Sequence, residues 1–247
     1  RAVLQCSGNG RSFFTPTIPG VAWGRGAVGN ALWEGFRLRD LLESCGPLDG
    51  NAHVHFLGAD GPPLPKTPAW VRSIPLDRAM ADDVLLATRM NGDELPALHG
   101  GPVRLVVPGW AGNHWMKWVR AIVVAKEEAP GFYQRAGYRL PKSPVPPGAV
   151  VPPEDTVPVT WMNVKSLIAR PAGGDRLRPG PVELRGVAWT GRGRIARVEV
   201  ELDGQWRDAE LFGPDEVGSW RSWKLAWTAT SGRHVARSRA TDTLGET

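Results

Sequence analysis

Between Arg139 and Pro158, seven of twenty residues are proline. Proline fixes φ and lacks a backbone N–H, so this run can continue neither a helix nor a central strand. It predicts a stiff, extended connector and makes the 247 residues fold as two bodies. The expected division is a first domain over 1–140, a connector over 141–158 and a second domain over 159–247. Each is long enough to bury a core of its own.

The two sides differ in texture. Beyond the connector come short apolar stretches separated by Gly and Pro turns: Val164 to Ile168, Val182 to Trp189, Ile195 to Leu202, Arg221 to Trp227 and His234 to Ala240. In the third, Val198, Val200 and Leu202 alternate with Arg197, Glu199 and Glu201, giving one apolar and one polar face. Such strands predict an all-β, Ig-like sandwich. Before the connector, helix and strand signals mix without regular alternation, which predicts an α+β domain and argues against a dinucleotide-binding unit. Gly35 opens a helical pattern with Leu38, Leu41, Leu42 and Cys45 on one face, ended by Gly46-Pro47. His53 to Leu57 reads as a strand, Gly61 to Pro68 as a loop with four prolines, and Ser73-Ile74-Pro75 as the start of a short helix. Val84 to Met90 is strand-like and meets the tight-turn signal Asn91-Gly92; Val103 to Val107 and Trp118 to Ala125 are further strands.

With 42% hydrophobic and 22% charged residues, the composition is that of a soluble globular protein. No apolar run approaches the ~18 residues of a membrane span. The net charge of +5 is scattered rather than gathered into a stripe, which argues against a nucleic-acid partner. His53 and His55 lack further ligands at zinc spacing and read as structural.

Leu4-Gln5-Cys6-Ser7-Gly8-Asn9-Gly10-Arg11 sets a thiol on a turn that Gly and Asn allow to be sharp, with a permanent cation five residues on. A soft sulfur ligand beside an anion-binding guanidinium suits a metal site that handles an oxyanion. This stretch resembles the molybdenum-ligating segment of the sulfite oxidase family. The resemblance continues in order through Trp23, Gly26 to Asn30, Trp33, Gly35 to Leu42, Met90-Asn91-Gly92, Leu95-Pro96, His99 to Arg104, Pro108-Gly109, Lys117-Trp118 and Gly186 to Trp189. The Asn9 to Phe14 run leans towards the bacterial sulfite dehydrogenases.

The resemblance implies a sulfite oxidase-fold molybdopterin domain followed by a β-sandwich that dimerises. It implies molybdenum held by a pterin dithiolene and by Cys6, with Asp60 and His99 bonding the pterin, Arg104 and Lys117 meeting its phosphate, and Trp115 and Met116 completing the segment. Arg37 is either a surface ion-pair partner or a further contact to that phosphate. Cys45 is then expected as a small core hydrophobe. The family's Arg-Asn-His segment upstream of the cysteine is expected before Arg1, so the chain reads as starting inside a longer protein.

For the substrate, the implied set is Arg11, Trp23 and, from the second domain, Arg197. The family's active-site tyrosine falls at Trp70, an indole that donates one hydrogen bond and accepts none. The implied activity is oxygen-atom transfer oxidising sulfite to sulfate. No Cys-x-x-Cys-His occurs in these residues, so a separate electron acceptor such as cytochrome c is expected, with a homodimer in the periplasm. The alternatives are a related molybdenum reductase of nitrate or a sulfoxide, and a cofactor-free binding or assembly module.

Overall fold

The computed structural model describes residues 1–62 and 64–247; Pro63, in the Gly61–Pro68 loop, lies outside the described residues. The chain divides into two units, Leu4–Thr160, and Trp161–Thr247 together with Arg1–Val3.

The first unit is mostly strand. Its elements in order are β1 (Ala2–Gln5), β2 (Val28–Ala31), β3 (Trp33–Arg37), α1 (Leu38–Ser44), β4 (His53–Gly58), β5 (Val71–Pro75), α2 (Leu76–Ala79), β6 (Leu85–Met90), β7 (Asp93–Glu94), β8 (Arg104–Val106), β9 (Val119–Ala125), α3 (Phe132–Arg135), β10 (Arg139–Pro141) and β11 (Thr156–Pro158). β1 pairs with β2; β6 pairs antiparallel with β3, β7 and β8; β4 lies between β5 and β9. Val54, Phe56, Ile74, Leu105, Val106 and Val107 from these strands are fully buried, with Leu38 of α1. The three helices span 7, 4 and 4 residues, so the expected α+β domain is a β-rich one with short helices.

Local sequence signals mislead at three places. The helix expected from Gly35 begins at Leu38, because Gly35 pairs with Ala87 in the β3–β6 ladder. A Cβ at Gly35 would lie 2.7 Å from Ala87 Cα and closer still to the Leu86 carbonyl oxygen. Arg37 therefore ends a strand and is exposed. Only Leu38 and Leu42 of the α1 stripe are buried, and Cys45, expected in the core, is exposed at the helix end. Ser73 and Ile74 belong to β5, and Pro75 precedes α2 as its cap residue.

The proline-rich stretch also departs from an extended connector. β10 and β11 pair antiparallel, so residues 139–158 loop back on the first unit, tied by Arg139 Nε donating to Thr156 Oγ1 at 2.7 Å.

The second unit holds β12 (Lys165–Arg170), β13 (Gly180–Trp189), β14 (Ile195–Leu202), β15 (Gln205–Asp208), β16 (Glu210–Phe212), β17 (Arg221–Ala229) and β18 (Ala236–Asp242). Two antiparallel sheets, β12-β13-β17-β16 and β15-β14-β18, enclose one core of Leu184, Ala188, Ile195, Val198, Val200, Leu202, Trp223 and Ala240. The alternation in β14 reads as the pleat requires, since Val198, Val200 and Leu202 all point inward. β15 and β16, four and three residues long, were too short to carry an apolar alternation that would have revealed them.

Candidate functional site

β1 delivers Cys6 to a tight turn. Cys6 N–H donates to Ala27 O at 2.9 Å, and Asn9 N–H closes the turn on Cys6 O at 2.9 Å. Asn9, buried, accepts the Ala27 N–H through Oδ1 at 3.1 Å, and Ser7 Oγ bonds Asn113 Oδ1. The 20–27 segment zips along the same turn through Gly10 N–H to Gly24 O and Ser12 N–H to Trp23 O. Cys6 is a free thiol, half-buried. Arg11 folds back over this turn: Nη1 donates to Val21 O at 3.2 Å, and a Cβ at either Gly8 or Gly20 would collide with its guanidinium. Gly8 and Gly20 thus leave room for the Arg11 guanidinium on the turn that carries Cys6. Trp23, 45% exposed, stands on this rim with Phe13 and Phe14.

Below the turn is a cavity of about 290 Å³ lined by Asp60, Trp70, Gly112, Trp115, Lys117 and Trp118. Gly112 brings this wall to the Cys6 strand, because its Cβ position lies 3.1 Å from Gln5 O. Lys117 crosses above Gly100, whose Cβ would lie 2.9 Å from the Lys117 stem and 3.1 Å from Arg104 Cβ. Its ammonium bonds Leu98 O at 3.2 Å and sits 3.8 Å from the Trp118 ring centroid. Arg104 in β8 is buried between the rings of Trp33 and Trp115, at 5.0 and 5.8 Å. It donates to the carbonyls of His99 at 2.7 Å and Trp115 at 3.3 Å, its Nε is buried without a partner, and it has no carboxylate partner among the described residues. Burial lowers its pKa to about 10, so it stays charged at neutral pH. Burial and the neighbouring Arg104 lower the Lys117 ammonium, which Asp60 partly offsets. Two cations held this closely without a full counter-charge are built to receive an anion. Of the residues expected here, Asp60, Trp70, Trp115 and Lys117 line one cavity and Arg104 lies against it; the His99 ring is exposed, and Met116 is buried in the core with its carbonyl accepting Leu105 N–H.

A second cluster, unannounced by any motif, adjoins Trp70. The Tyr133 ring lies 4.5 Å from it and the Tyr138 ring 5.4 Å, edge-on. Arg72 in β5 is fully buried; it donates to Tyr133 O, faces the His114 ring and lies 5.7 Å from the Tyr138 ring centroid. Burial first, then Arg72, pushes the His114 imidazole down to about 3. The Tyr138 phenol is raised, by burial first and then by Cys6 and Tyr133, while Arg72 and Arg11 oppose the rise. The only hint in the sequence is that both tyrosines of the chain fall within residues 133–138.

Arg197, on the exposed face of β14, has its donors engaged within the second unit: Nε bonds Asp208 Oδ1 and Nη2 bonds Glu199 Oε1, both at 2.6 Å. His53 and His55 join no group of three or more His, Cys, Asp and Glu able to hold a metal among the described residues, and His55 Nε2 bonds Glu127 O at 2.7 Å. No helix among the described residues is long and apolar enough to cross a membrane.

Residues 1–133 match the oxidoreductase molybdopterin binding domain, and residues 157–240 match the Mo-co oxidoreductase dimerisation domain. Sulfite oxidase of Gallus gallus is 38% identical over 248 residues, covering 95% of this chain and 53% of that protein. The nitrate reductase [NAD(P)H] of Hordeum vulgare is 34% identical over 236 residues, covering 86% of this chain and 26% of that protein. Among solved structures, the sulfane dehydrogenase SoxCD from Paracoccus pantotrophus superposes with a TM-score of 0.82 at 30% identity, covering 99% of this chain and 60% of that one. The chain spans about half the length of the sulfite oxidase it matches.

Proposed function

The chain belongs to the sulfite oxidase family of molybdopterin-dependent oxidoreductases, and from that premise we propose that it oxidises sulfite to sulfate at the Cys6 turn. The observation that carries this reading is the free thiol of Cys6 and the Arg11 guanidinium held on one turn, where a metal ligand and an anion receptor meet.

The residues present fit the cofactor. The thiol is a ligand of the right softness, and the buried Arg104, with an orphaned Nε and no carboxylate, answers a phosphate. Lys117 would add a second charge there, Asp60 would accept from pterin N–H groups, and Trp115 forms the apolar wall. The His99 ring is exposed, and its carbonyl accepts from Arg104. When bound, the group supplies the two-electron oxidation and the oxygen-atom transfer that turn sulfite into sulfate. Arg11 binds and orients the anion by charge-assisted hydrogen bonds. Trp23 covers the mouth and limits water there, while Trp70 fills one side of the cavity and offers only an N–H. These donors are fixed before substrate arrives, so little reorganisation opposes charge development.

The second unit we read as an Ig-like sandwich that pairs two chains, a reading supported by its two antiparallel sheets and its match to a dimerisation domain. Arg197, also expected at the substrate, has its donors engaged by Glu199 and Asp208. Electrons pass to a separate acceptor, of which a cytochrome c is the natural class, and the bacterial character of the Asn9 to Phe14 run supports a periplasmic setting. The resemblance to a plant nitrate reductase keeps an oxyanion reductase as the second reading.

Metal and pterin analysis of the purified protein, followed by sulfite with an artificial acceptor against nitrate with a reduced dye, tests this. The expected result is about one molybdenum per chain and faster turnover of sulfite; nitrate as the better substrate, or a protein without molybdenum after expression with cofactor supply, would refute it. Cys6→Ser should lose molybdenum and turnover together while its circular dichroism stays unchanged.

A further inference from the structure

The turn that carries Cys6 is fastened on two sides. Towards the 20–27 segment, Asn9 Oδ1 accepts the Ala27 N–H. Towards the cavity wall the fastening is Ser7, the residue directly after the thiol, whose Oγ lies 2.5 Å from Asn113 Oδ1. An amide oxygen can only accept, so the serine hydroxyl donates, at the short end of the range for such bonds. The two residues are 106 positions apart in the chain.

Asn113 is itself held. It is buried, in a turn over 112–114. Gly112, before it, sits so close to β1 that a Cβ there would lie 2.7 Å from Leu4 Cδ1 and 3.1 Å from Gln5 O. Behind the turn, Ala111 N–H donates to Thr160 O at 2.7 Å, and Asn113 Nδ2 lies 3.5 Å from Val159 O. After it, Trp115 Nε1 donates to Trp110 O at 3.0 Å, and the chain runs on through Trp115, Lys117 and Trp118, which line the cavity. The 110–118 segment is therefore a braced wall, and Asn113 is the point at which its side chains grip the thiol turn.

We propose that Asn113, by accepting the Ser7 hydroxyl, is a positioning residue for the metal ligand. It locks the Cys6 turn to the wall, so that the sulfur keeps one spacing from Trp115 and Lys117. A group bound at once by a thiolate on one stretch and by side chains on another is held only as tightly as the two stretches are linked. Outer partners of a metal ligand are worth about 10–100-fold in metal affinity. The proposal rests on the reading of Cys6 as the molybdenum ligand.

The test uses the molybdenum-loaded protein and follows two properties besides turnover. One is the rate at which molybdenum is released on dialysis. The other is the electron paramagnetic resonance spectrum of the one-electron-reduced metal, which responds to the orientation of its thiolate. Ser7→Ala and Asn113→Ala should each speed release by about tenfold and shift the spectrum. The double variant should do no more than either alone, because both changes remove the same bond. Ser7→Thr, which keeps the hydroxyl, should restore slow release. Thr156→Val removes a hydrogen bond elsewhere in the first unit; it should lower Tm and leave release and spectrum unchanged, which separates positioning from stability. Should Asn113→Ala fail to fold, Ser7→Ala, at a half-buried turn position, decides alone. Wild-type release and spectrum in Ser7→Ala overturn the proposal and leave Cys6 as the ligand, as does equally fast release from Thr156→Val. A wild type that holds no molybdenum after expression with cofactor supply overturns the reading of Cys6, and the proposal with it.

Discussion

Acidification should weaken the first unit through His114, by an amount the structure sets. The ring is 1% exposed, with Nε2 2.9 Å from Val159 O and Arg72 Nη2 lying 3.2 Å from Nε2 and 3.5 Å from Nδ1. Burial disfavours a charged ring, and a second ring proton would also put a cation against a buried guanidinium, so the pKa is about 3. An unfolded histidine titrates near 6.5. As pH falls below that value the unfolded chain takes a proton that the native state refuses. Stability is therefore lost on the acid side, by about 1.4 kcal/mol per pH unit between the two values. From pH 7 to pH 5 that amounts to roughly 2 kcal/mol. His114→Gln keeps a donor for Val159 O and cannot titrate, so carboxylate effects cancel between the two proteins. Urea unfolding followed by tryptophan emission at both pH values should show the wild type losing about 2 kcal/mol relative to the variant. A difference that stays constant across this range would refute the exclusion of the proton and the placement of Arg72 against the ring.

Gly35→Ala should destabilise the first unit by about 1–3 kcal/mol, read as a lower Tm, because the new methyl meets backbone of Leu86 and Ala87 that cannot yield. Trp70→Tyr should raise kcat for sulfite with little change in KM, and identical stopped-flow rates would remove Trp70 from the reacting face. In the second unit, His234 Nδ1 bonds Asp203 Oδ2 at 2.6 Å, and Asp203 also accepts Val235 N–H at 3.0 Å. The Asp203 hydrogen bond raises the His234 pKa, and the Val235 N–H followed by His234 lowers that of Asp203. The pair's stabilisation from His234 is thus complete below about pH 6.5 and lost as pH climbs through the raised value. The Tm of His234→Gln should lie below wild type at about pH 6 and converge with it at about pH 9; a gap that persists at the higher pH would rule out the ion pair.

What the sequence determined by itself is what local chemistry and strict periodicity encode. The alternation of Val198, Val200 and Leu202 dictates which face of β14 is buried, since successive side chains on a strand point to opposite sides. Asn91 and Gly92, at φ 56 and 88, form the turn their residue types favour. The ordered motifs around Cys6, His99 to Arg104 and Lys117 point to the family the chain belongs to, because such motifs are carried by residue type and spacing alone. The structure decided what depends on partners distant in the chain. The apolar stripe from Leu38 to Cys45 could not show that Gly35 would be claimed by Ala87 in a ladder, nor that Cys45 would have nothing to pack on. Seven prolines gave the connector its stiffness, but Arg139 reaching Thr156 turned it into a closed loop. Tyr138, Arg72 and His114 share no motif, being 24 to 66 residues apart, and meet only because β5, the 112–114 turn after β8 and the residues before β10 pack together. A cluster built from such separate stretches has no local pattern to read, whereas the Cys6 turn, a single continuous stretch, does.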